Sequence, residues 1–217
     1  MLWLPRVNGQ KKLIKFKKKF IYLISPNKIS NNSFFRYLDK IFISNKVKFF
    51  QLRLKRIKNT KLINIGKKIK KICNQHKVKL IINDSPKIAV KIGADGCHIG
   101  QKDTNIKIAR KILKNKIMGV TCHNSIKLVK NAINSKADYI ALGSFYPTKT
   151  KKIKLKAKIS TIKRTKKITK LPVVVIGGIN STNYKKLLLN KADFLAISSF
   201  IWKNKKLKPF EAIKEIK

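Results

Sequence analysis

Acidic residues are scarce in this sequence of 217 residues, which has 8 Asp and Glu against 54 Lys and Arg and a net charge of +46. A charge of this size attracts nucleic acid and anionic membranes, and it repels itself in the compact state. A nucleic-acid or membrane binder is one interpretation. The other is compositional, because Lys, Ile and Asn all have A/T-rich codons. The lysines occur in every segment instead of forming one stripe, which favours the compositional interpretation.

Cysteines and long apolar runs are also few. The odd count of three cysteines, without C-x-x-C spacing, excludes a disulfide framework and a zinc site, and indicates a reduced, cytoplasmic setting. No apolar run approaches the ~20 residues of a membrane span. The start MLWLPRVNGQKK has no secretory pattern of basic region, apolar core and cleavage site. We interpret residues 1–19 as a poorly ordered basic extension and residues 20–217 as one domain.

Short apolar runs alternate with stretches of helical periodicity along that domain. Most of the runs are nearly continuously apolar, as expected for strands buried on both faces of a parallel sheet. The predicted strands are Phe20–Ser25, Val47–Arg53, Lys79–Asn83, Gly96–Ile99, Ile117–Val120, Asp138–Leu142, Pro172–Ile176 and Asp193–Ser198. The predicted helices are Ser33–Ser44, Thr60–Gln75, Ser85–Ile92, Thr104–Lys114, Ser125–Ser135, Ser181–Leu189 and Pro209–Ile216.

This alternation predicts an α/β fold, a single-domain TIM (β/α)8 barrel, with an open doubly wound sheet as the alternative. Polar or glycine residues end seven of the eight predicted strands. In a barrel the chemistry lies at the carboxyl ends of the strands, and the position of these residues therefore favours the barrel. We find no second domain, linker or short internal repeat.

Three of the eight acids fall in one stretch, Asp84, Asp95 and Asp103. Asp84 and Asp103 follow neighbouring predicted strands, where two carboxylates can hold a hard cation such as Mg²⁺. The alternative is that Asp84 caps a turn and Asp103 begins the next helix. Asp95 precedes a strand, at the opposite end of the barrel, and we interpret it as a structural residue.

Alternation along a strand places Gln51, Arg53 and Lys55 on one face, and Leu52 and Leu54 on the other. Polar groups that point into a barrel are costly unless they meet a partner. A phosphate or diphosphate suits an Arg fork and a Lys. A solvated edge is the alternative.

Other candidates occupy later strand ends. The hydroxyls and lysines of the loop 143–152 can wrap a phosphate, and Gly177-Gly178 lets backbone N–H groups approach a ligand or forms a tight turn. Ser198-Ser199 follows the last strand. For His98 a satisfied core histidine is favoured over a catalyst, and the role of His123 stays open. Buried cysteines are favoured over nucleophiles.

Six motifs in one order, spanning about residues 20–202, resemble the thiamine-phosphate synthase/TenI-like family. The motifs are QLRLK, IINDSPKIAVKIGADGCHIGQKD, GVTCH, DYIALGSFYPTKTKK, PVVVIGGI and AISS. The spacing from Asp84 to Asp103 is similar to that of the family's metal pair. The family enzyme is a TIM barrel that joins an aminopyrimidine methyl diphosphate to a thiazole phosphate and releases pyrophosphate.

The resemblance implies a role for each matched position. Asp84 and Asp103 would bind Mg²⁺, the implied cofactor. Arg53, Thr121 and Lys151 would be the catalytic residues. The pyrimidine diphosphate would be bound by Gln51, Leu52, Arg53, Leu54, Lys55, Asn83, Thr121 and Lys151. The thiazole phosphate would be bound by Thr148, Lys149, Thr150, Gly178, Ser198 and Ser199.

The sequence departs from the family pattern at three positions. Thr121 stands where Ser is usual, Leu54 where an acid is common, and Ser198 where Ile is frequent. The TenI-like subgroup isomerises the thiazole and usually lacks the full metal and diphosphate set. The alternatives are therefore this tautomerase and a basic nucleic-acid-binding barrel. The expected partners are small phosphorylated substrates, without specific nucleic acid or membrane, and a homo-oligomer is left open.

Overall fold

The computed structural model describes residues 20–29, 32–147 and 156–217, and they form a closed barrel of parallel strands. Each strand pairs with the next in chain order, and β1 pairs with β8, which excludes the open sheet. The strands are β1 Ile21–Ile24, β2 Val47–Leu52, β3 Lys79–Asn83, β4 Gly96–Ile99, β5 Ile117–His123, β6 Tyr139–Gly143, β7 Val173–Ile176 and β8 Phe194–Ile197.

Helices connect successive strands and cover the outside of the barrel, as in other TIM barrels. The helices in the described residues are α1 Ser33–Ile43, α2 Asn59–Gln75, α3 Pro86–Ile92, α4 Ile106–Leu113, α5 Ile126–Asn134, α6 Ile159–Ile168, α7 Tyr184–Leu189, α8 Ser199–Trp202 and α9 Pro209–Ala212. The TIM-barrel prediction is confirmed. The predicted disorder of residues 1–19 concerns residues outside the described part.

Side-chain caps set where three of these helices begin. Ser85, Asn105 and Ser125 each accept hydrogen bonds from backbone N–H groups of the first turn. Such caps satisfy donors that have no partner within the helix. Asn105, and not Asp103, is the N-cap of α4, so the capping alternative for Asp103 is wrong.

Two apolar layers make up the core. One layer combines strand residues with helix residues, and therefore lies between the barrel and its helices. The other contains strand residues only, and therefore fills the barrel interior. Its aromatic members pack with ring centroids 5.1–6.0 Å apart. They are Tyr22, Phe49, Tyr139 and Phe194.

The amino-terminal end of the barrel carries a recurring aspartate that the sequence reading did not detect as a repeat. Asp95, Asp138 and Asp193 precede β4, β6 and β8, each directly after a buried alanine. Each carboxylate accepts the backbone N–H of a residue near the start of the preceding strand. Each also pairs with a cation of the helix that comes before that strand, α2, α4 or α6. The prediction that Asp95 is structural is confirmed, and two more of the eight acids share its role.

Three donors meet the Asp95 carboxylate. It accepts from Lys70 Nζ at 2.6 Å, Lys79 Nζ at 3.2 Å and the Leu80 N–H at 2.9 Å. Burial raises the pKa of Asp95, but these hydrogen bonds outweigh it and hold the pKa below its usual value. The carboxylate is therefore more stable in the folded than in the unfolded chain.

We expect Asp95→Ala to lower the free energy of unfolding by about 2 kcal/mol, because a buried N–H and two cations lose their acceptor. Urea denaturation at pH 7 measures the change. Asp95→Asn keeps an acceptor and loses the charge, so its deficit should disappear as the pH falls through the depressed pKa of Asp95. Asp39→Ala is the control, since Asp39 is half exposed and its ion pair among the described residues is with His76. Equal losses for Asp95→Ala and Asp39→Ala would contradict the structural role.

The three cysteines lie in the core. Cys73, Cys97 and Cys122 are free and buried, and burial raises the pKa of each thiol, which confirms that they are inert core residues. In the described ranges, no helix is long and apolar enough to cross a membrane.

Two helices were not predicted, α6 and α8. Half of the residues of α6, ISTIKRTKKI, are Ile or Thr, whose β-branched side chains lower its own helix propensity. Packing of Thr161, Ile162 and Thr165 against the barrel supplies what propensity does not. The helix α8 has only four residues, too few to show a period.

Candidate active site

Four polar side chains lie at the carboxyl end of the barrel, on strand positions that point inward. They are Gln51, Asn83, His98 and Thr121, from four successive strands β2 to β5. Their register follows from the pairing of Gln51 with Ile81 and of Asn83 with His98. The closed barrel thus brings together residues that are far apart in the sequence.

A pair of carboxylates lies beside them. Asp84 directly follows β3 and has φ of 66°, a left-handed conformation that Asp and Asn tolerate better than most residues. Burial first, and then the hydrogen bond and charge of Asp103, raise the pKa of Asp84 to about 6. The two acids predicted to form one site are therefore in contact.

Asp103 is held by the loop after β4. Its Oδ2 accepts the Gly100 N–H at 2.7 Å, and a Cβ at Gly100 would lie only 2.6 Å from that oxygen. Glycine at position 100 is thus required for the close approach of the carboxylate to the backbone. The loop presents Asp103 on the exposed side of the mouth, opposite the half-buried Asp84.

Cationic side chains from the loop after β2 face this pair. The charges of Arg53 and Lys55 lower the pKa of Asp84 against the effect of burial, which places both cations near the carboxylates. Arg53 donates from Nη1 to Asn27 Oδ1 at 2.9 Å, and its backbone N–H donates to Ser25 Oγ at 2.9 Å. These contacts orient the Arg53 guanidinium, and the sequence did not single out Ser25 or Asn27.

The strand β2 ends earlier than predicted, at Leu52, so Arg53 and Lys55 belong to a loop and not to an extended strand face. The Leu52 side chain is buried in the layer between barrel and helices. Leu54 is partly buried and packs against the same layer. Neither leucine side chain points into the barrel, which agrees with their expected face but not with a side-chain contact to a ligand.

His98 links Thr121 to the barrel interior. Its Nε2 lies 2.7 Å from Thr121 Oγ1, and its Nδ1 lies 2.9 Å from the Tyr139 hydroxyl. Burial lowers the pKa of His98 to about 4. The charge of Asp103 opposes this shift, and the charge of Arg53 adds to it. The imidazole is therefore uncharged at neutral pH. The expectation of a satisfied core histidine is confirmed, but its contact with Thr121 was not foreseen.

The loops after β6 and β7 meet at Gly177 and Gly178. Both glycines have positive φ, and a Cβ on Gly178 would lie 2.3 Å from the Pro147 carbonyl oxygen. The pair therefore lets the two loops pack closely, as a turn would. The predicted ligands of this loop, Thr148, Lys149, Thr150 and Lys151, lie outside the described residues.

The end of β8 completes the rim. Ser198 precedes α8, and its hydroxyl donates to the Ser25 carbonyl at 3.2 Å. Ser199 is the first residue of α8. Trp202 of the same helix donates from Nε1 to the Ile24 carbonyl at 2.7 Å, so α8 is tied to the end of β1. Ser198 therefore lies next to Ser25, which also accepts the Arg53 N–H.

Together these features define a TIM-barrel protein with paired carboxylates, cations and hydroxyls at the carboxyl face, the set that binds phosphorylated ligands. A family model described as thiamine monophosphate synthase matches residues 21–201. The chain belongs to this thiamine monophosphate synthase family.

Similar proteins agree with that assignment. Thiamine-phosphate synthase of Pelagibacter ubique (strain HTCC1062) is 62% identical over 203 residues, 94% of this chain and 98% of the relative. The Clostridium tetani thiamine-phosphate synthase is 36% identical over 83% of this chain and 87% of its own. A solved thiamine phosphate pyrophosphorylase from Pyrococcus furiosus has a TM-score of 0.79 at 24% identity, covering 92% of this chain and 94% of its own, and shows the fold.

Proposed function

We propose that the protein is a thiamine-phosphate synthase. It would join an aminopyrimidine methyl diphosphate to a thiazole phosphate, and so form thiamine phosphate and pyrophosphate. The observation that carries this proposal is the contact between Asp84 and Asp103, faced by Arg53 and Lys55, in a chain of this family. The tautomerase alternative has no use for such a set, since it does not release a diphosphate.

Asp84 and Asp103 fit a magnesium ion. Burial is the largest cause of the raised pKa of Asp84, and the hydrogen bond and charge of Asp103 add to it. Two adjacent carboxylates repel each other, and a divalent cation between them would remove that repulsion. Mg²⁺ prefers oxygen ligands and keeps room for water and phosphate oxygens. When bound, Mg²⁺ would supply positive charge to the departing diphosphate.

The reaction needs positioning and charge more than it needs a nucleophile. The bond from the pyrimidine methylene carbon to the diphosphate oxygen breaks, and its electrons leave with pyrophosphate. The methylene carbon then bonds to the thiazole nitrogen. Arg53, Lys55 and Lys151 would bind the diphosphate and stabilise the charge that develops on it. Gln51, Asn83 and Thr121 would orient the pyrimidine so that its methylene faces the thiazole.

The second substrate would lie across the barrel mouth. Thr148, Lys149 and Thr150 would bind the thiazole phosphate from the loop after β6. Gly178, Ser198 and Ser199 would bind it from the other side, with backbone N–H groups and hydroxyls as donors. In this arrangement the loop after β6 would contact both phosphorylated groups, the thiazole phosphate through Thr148, Lys149 and Thr150 and the diphosphate through Lys151. We place the reaction in the cytoplasm, where thiols such as those of this chain stay reduced.

A product assay tests the proposal. We expect the purified chain to form thiamine phosphate and pyrophosphate from both substrates with Mg²⁺, and none after Mg²⁺ is removed with EDTA. Chromatography with fluorescence detection after oxidation measures the product. Conversion of the thiazole tautomer without product or metal dependence would contradict the proposal and favour the tautomerase.

A further inference from the structure

A chain of hydrogen bonds crosses the barrel interior beneath the proposed pyrimidine site. The Tyr22 and Tyr139 hydroxyl oxygens are 2.7 Å apart, and Tyr139 lies 2.9 Å from His98 Nδ1. His98 Nε2 then lies 2.7 Å from Thr121 Oγ1. At the other end, burial raises the pKa of Tyr22, and the nearby Gln51 side chain lowers it in part. The chain of hydrogen bonds therefore runs from Tyr22, beside Gln51, to Thr121, and Gln51 and Thr121 are both proposed contacts of one substrate.

Glycine makes the central link possible. Tyr139 and His98 lie on strands β6 and β4, with Gly119 of β5 between them in register. A Cβ at Gly119 would lie 1.8 Å from the Tyr139 ring, so only glycine leaves space for that ring to cross β5. The His98 and Tyr139 rings then stack with an interplanar angle of 18°. The interior is thus shaped around this contact.

The His98 imidazole couples the hydrogen-bond roles of the Tyr139 and Thr121 hydroxyls. Tyr139 is 2% exposed and His98 is 9% exposed, and both ring nitrogens of His98 meet hydroxyl groups. A neutral imidazole has one N–H and one acceptor nitrogen. If Tyr139 donates to Nδ1, then Nε2 must donate to Thr121, and the reverse holds as well. The state of the Tyr139 hydroxyl therefore decides whether Thr121 is a donor or an acceptor on its His98 side.

We propose that Tyr139 and His98 are positioning residues, which hold the Thr121 hydroxyl in one hydrogen-bonding orientation toward the pyrimidine substrate. This inference rests on the proposed function. Tyr139 is too deep to touch the substrate and acts through His98. The network would give the site a fixed pattern of donors and acceptors before the substrate binds, which lowers the ordering cost of binding.

Kinetics of Tyr139→Phe test the inference, because this change removes one oxygen and keeps the ring. We expect KM for the pyrimidine diphosphate to rise about three- to tenfold, the range for one lost hydrogen bond, while KM for the thiazole phosphate is unchanged. Tyr184→Phe is the matched control. Tyr184 is as deeply buried, but its hydroxyl donates to the Lys217 carbonyl, away from the site.

A double-mutant cycle separates positioning from general loss of structure. If Tyr139 acts through Thr121, then Tyr139→Phe should have no further effect on KM in a Thr121→Ala background. The same change should keep its effect in a Thr121→Ser background, because serine retains the hydroxyl. Additive effects of Tyr139→Phe and Thr121→Ala would overturn the inference.

Nitrogen-15 NMR of the imidazoles gives a readout that needs no substrate. We expect His98 to hold one neutral tautomer, and Tyr139→Phe to change the tautomer populations. Loss of the signal in His98→Gln assigns it among the three histidines. An equal tautomer mixture in both proteins would overturn the network. If the wild-type chain forms no thiamine phosphate, the proposed function fails, while the NMR result still tests the network by itself.

Discussion

Asp84→Asn is expected to reduce kcat/KM at least about a hundredfold while it raises the stability of the metal-free protein. The loss of activity follows from the loss of one of two carboxylates proposed to bind Mg²⁺. The gain in stability follows because the substitution removes the repulsion between Asp84 and Asp103. Asparagine suits the test, since it tolerates the φ of 66° at this position.

The pH dependence of stability is a second test of Asp84. The pKa of Asp84 is raised to about 6 in the folded protein, above that of Asp in the unfolded chain. The folded protein therefore binds this proton more tightly. The contribution of Asp84 is present below the unfolded pKa and is lost as the pH rises through about 6. Thermal unfolding of the metal-free protein between pH 4 and about 8 should show this loss in the wild type and not in Asp84→Asn.

Asp39→Asn is the control for Asp84→Asn, because Asp39 pairs with His76 outside the site. Its activity and its dependence on Mg²⁺ should match those of the wild type. Asp103→Asn should behave like Asp84→Asn in activity, since it removes the other carboxylate and keeps an acceptor for Gly100. An unchanged Mg²⁺ dependence in both site variants would rule out the proposed metal site.

Arg53→Ala is expected to lower kcat/KM for the pyrimidine diphosphate about 10²- to 10³-fold, as for other preorganised donors to a developing charge. Arg53 is held by Ser25 and Asn27, so its guanidinium is oriented before the substrate binds. Arg53→Lys should recover only part of the activity, because an ammonium keeps the charge but not the planar fork.

Arg53→Ala should also shift the pH dependence of activity. The charge of Arg53 lowers the pKa of Asp84, so its removal should move the acidic limb of the activity profile to higher pH. Arg164→Ala, on the exposed side of α6, controls for the loss of one positive charge. A change confined to KM for the thiazole phosphate would contradict the role given to Arg53.

Much of the fold was predictable, because the strands and helices of a parallel barrel alternate regularly along the chain and differ in their hydrophobic periodicity. All eight strands were found, β3 and β4 to the residue, since buried strands are short apolar runs between turn residues. The strand end at Leu52 was missed, because the Arg53 N–H leaves the ladder for the Ser25 hydroxyl, a partner that is distant in sequence. The helix α6 was missed because packing, and not propensity, forms it.

The scarce acids show the same division. Asp84 and Asp103 could be paired from their positions after neighbouring strands. Asp138 and Asp193 carried no such signal, although they repeat the role of Asp95. Each accepts the backbone N–H of a strand residue 20 positions earlier in the chain. A contact over that distance is not indicated by local hydrophobic periodicity.

The sequence by itself determined the order of strands and helices, the family motifs and the residues at each strand end, because these depend on local periodicity and spacing. Only the tertiary structure decided the contact between Asp84 and Asp103, and the hydrogen-bonded path from Tyr22 through Tyr139 and His98 to Thr121. The physical reason is closure of the barrel. Closing the barrel brings side chains from separate strands together in one interior. There, burial and hydrogen bonding set their charge and orientation.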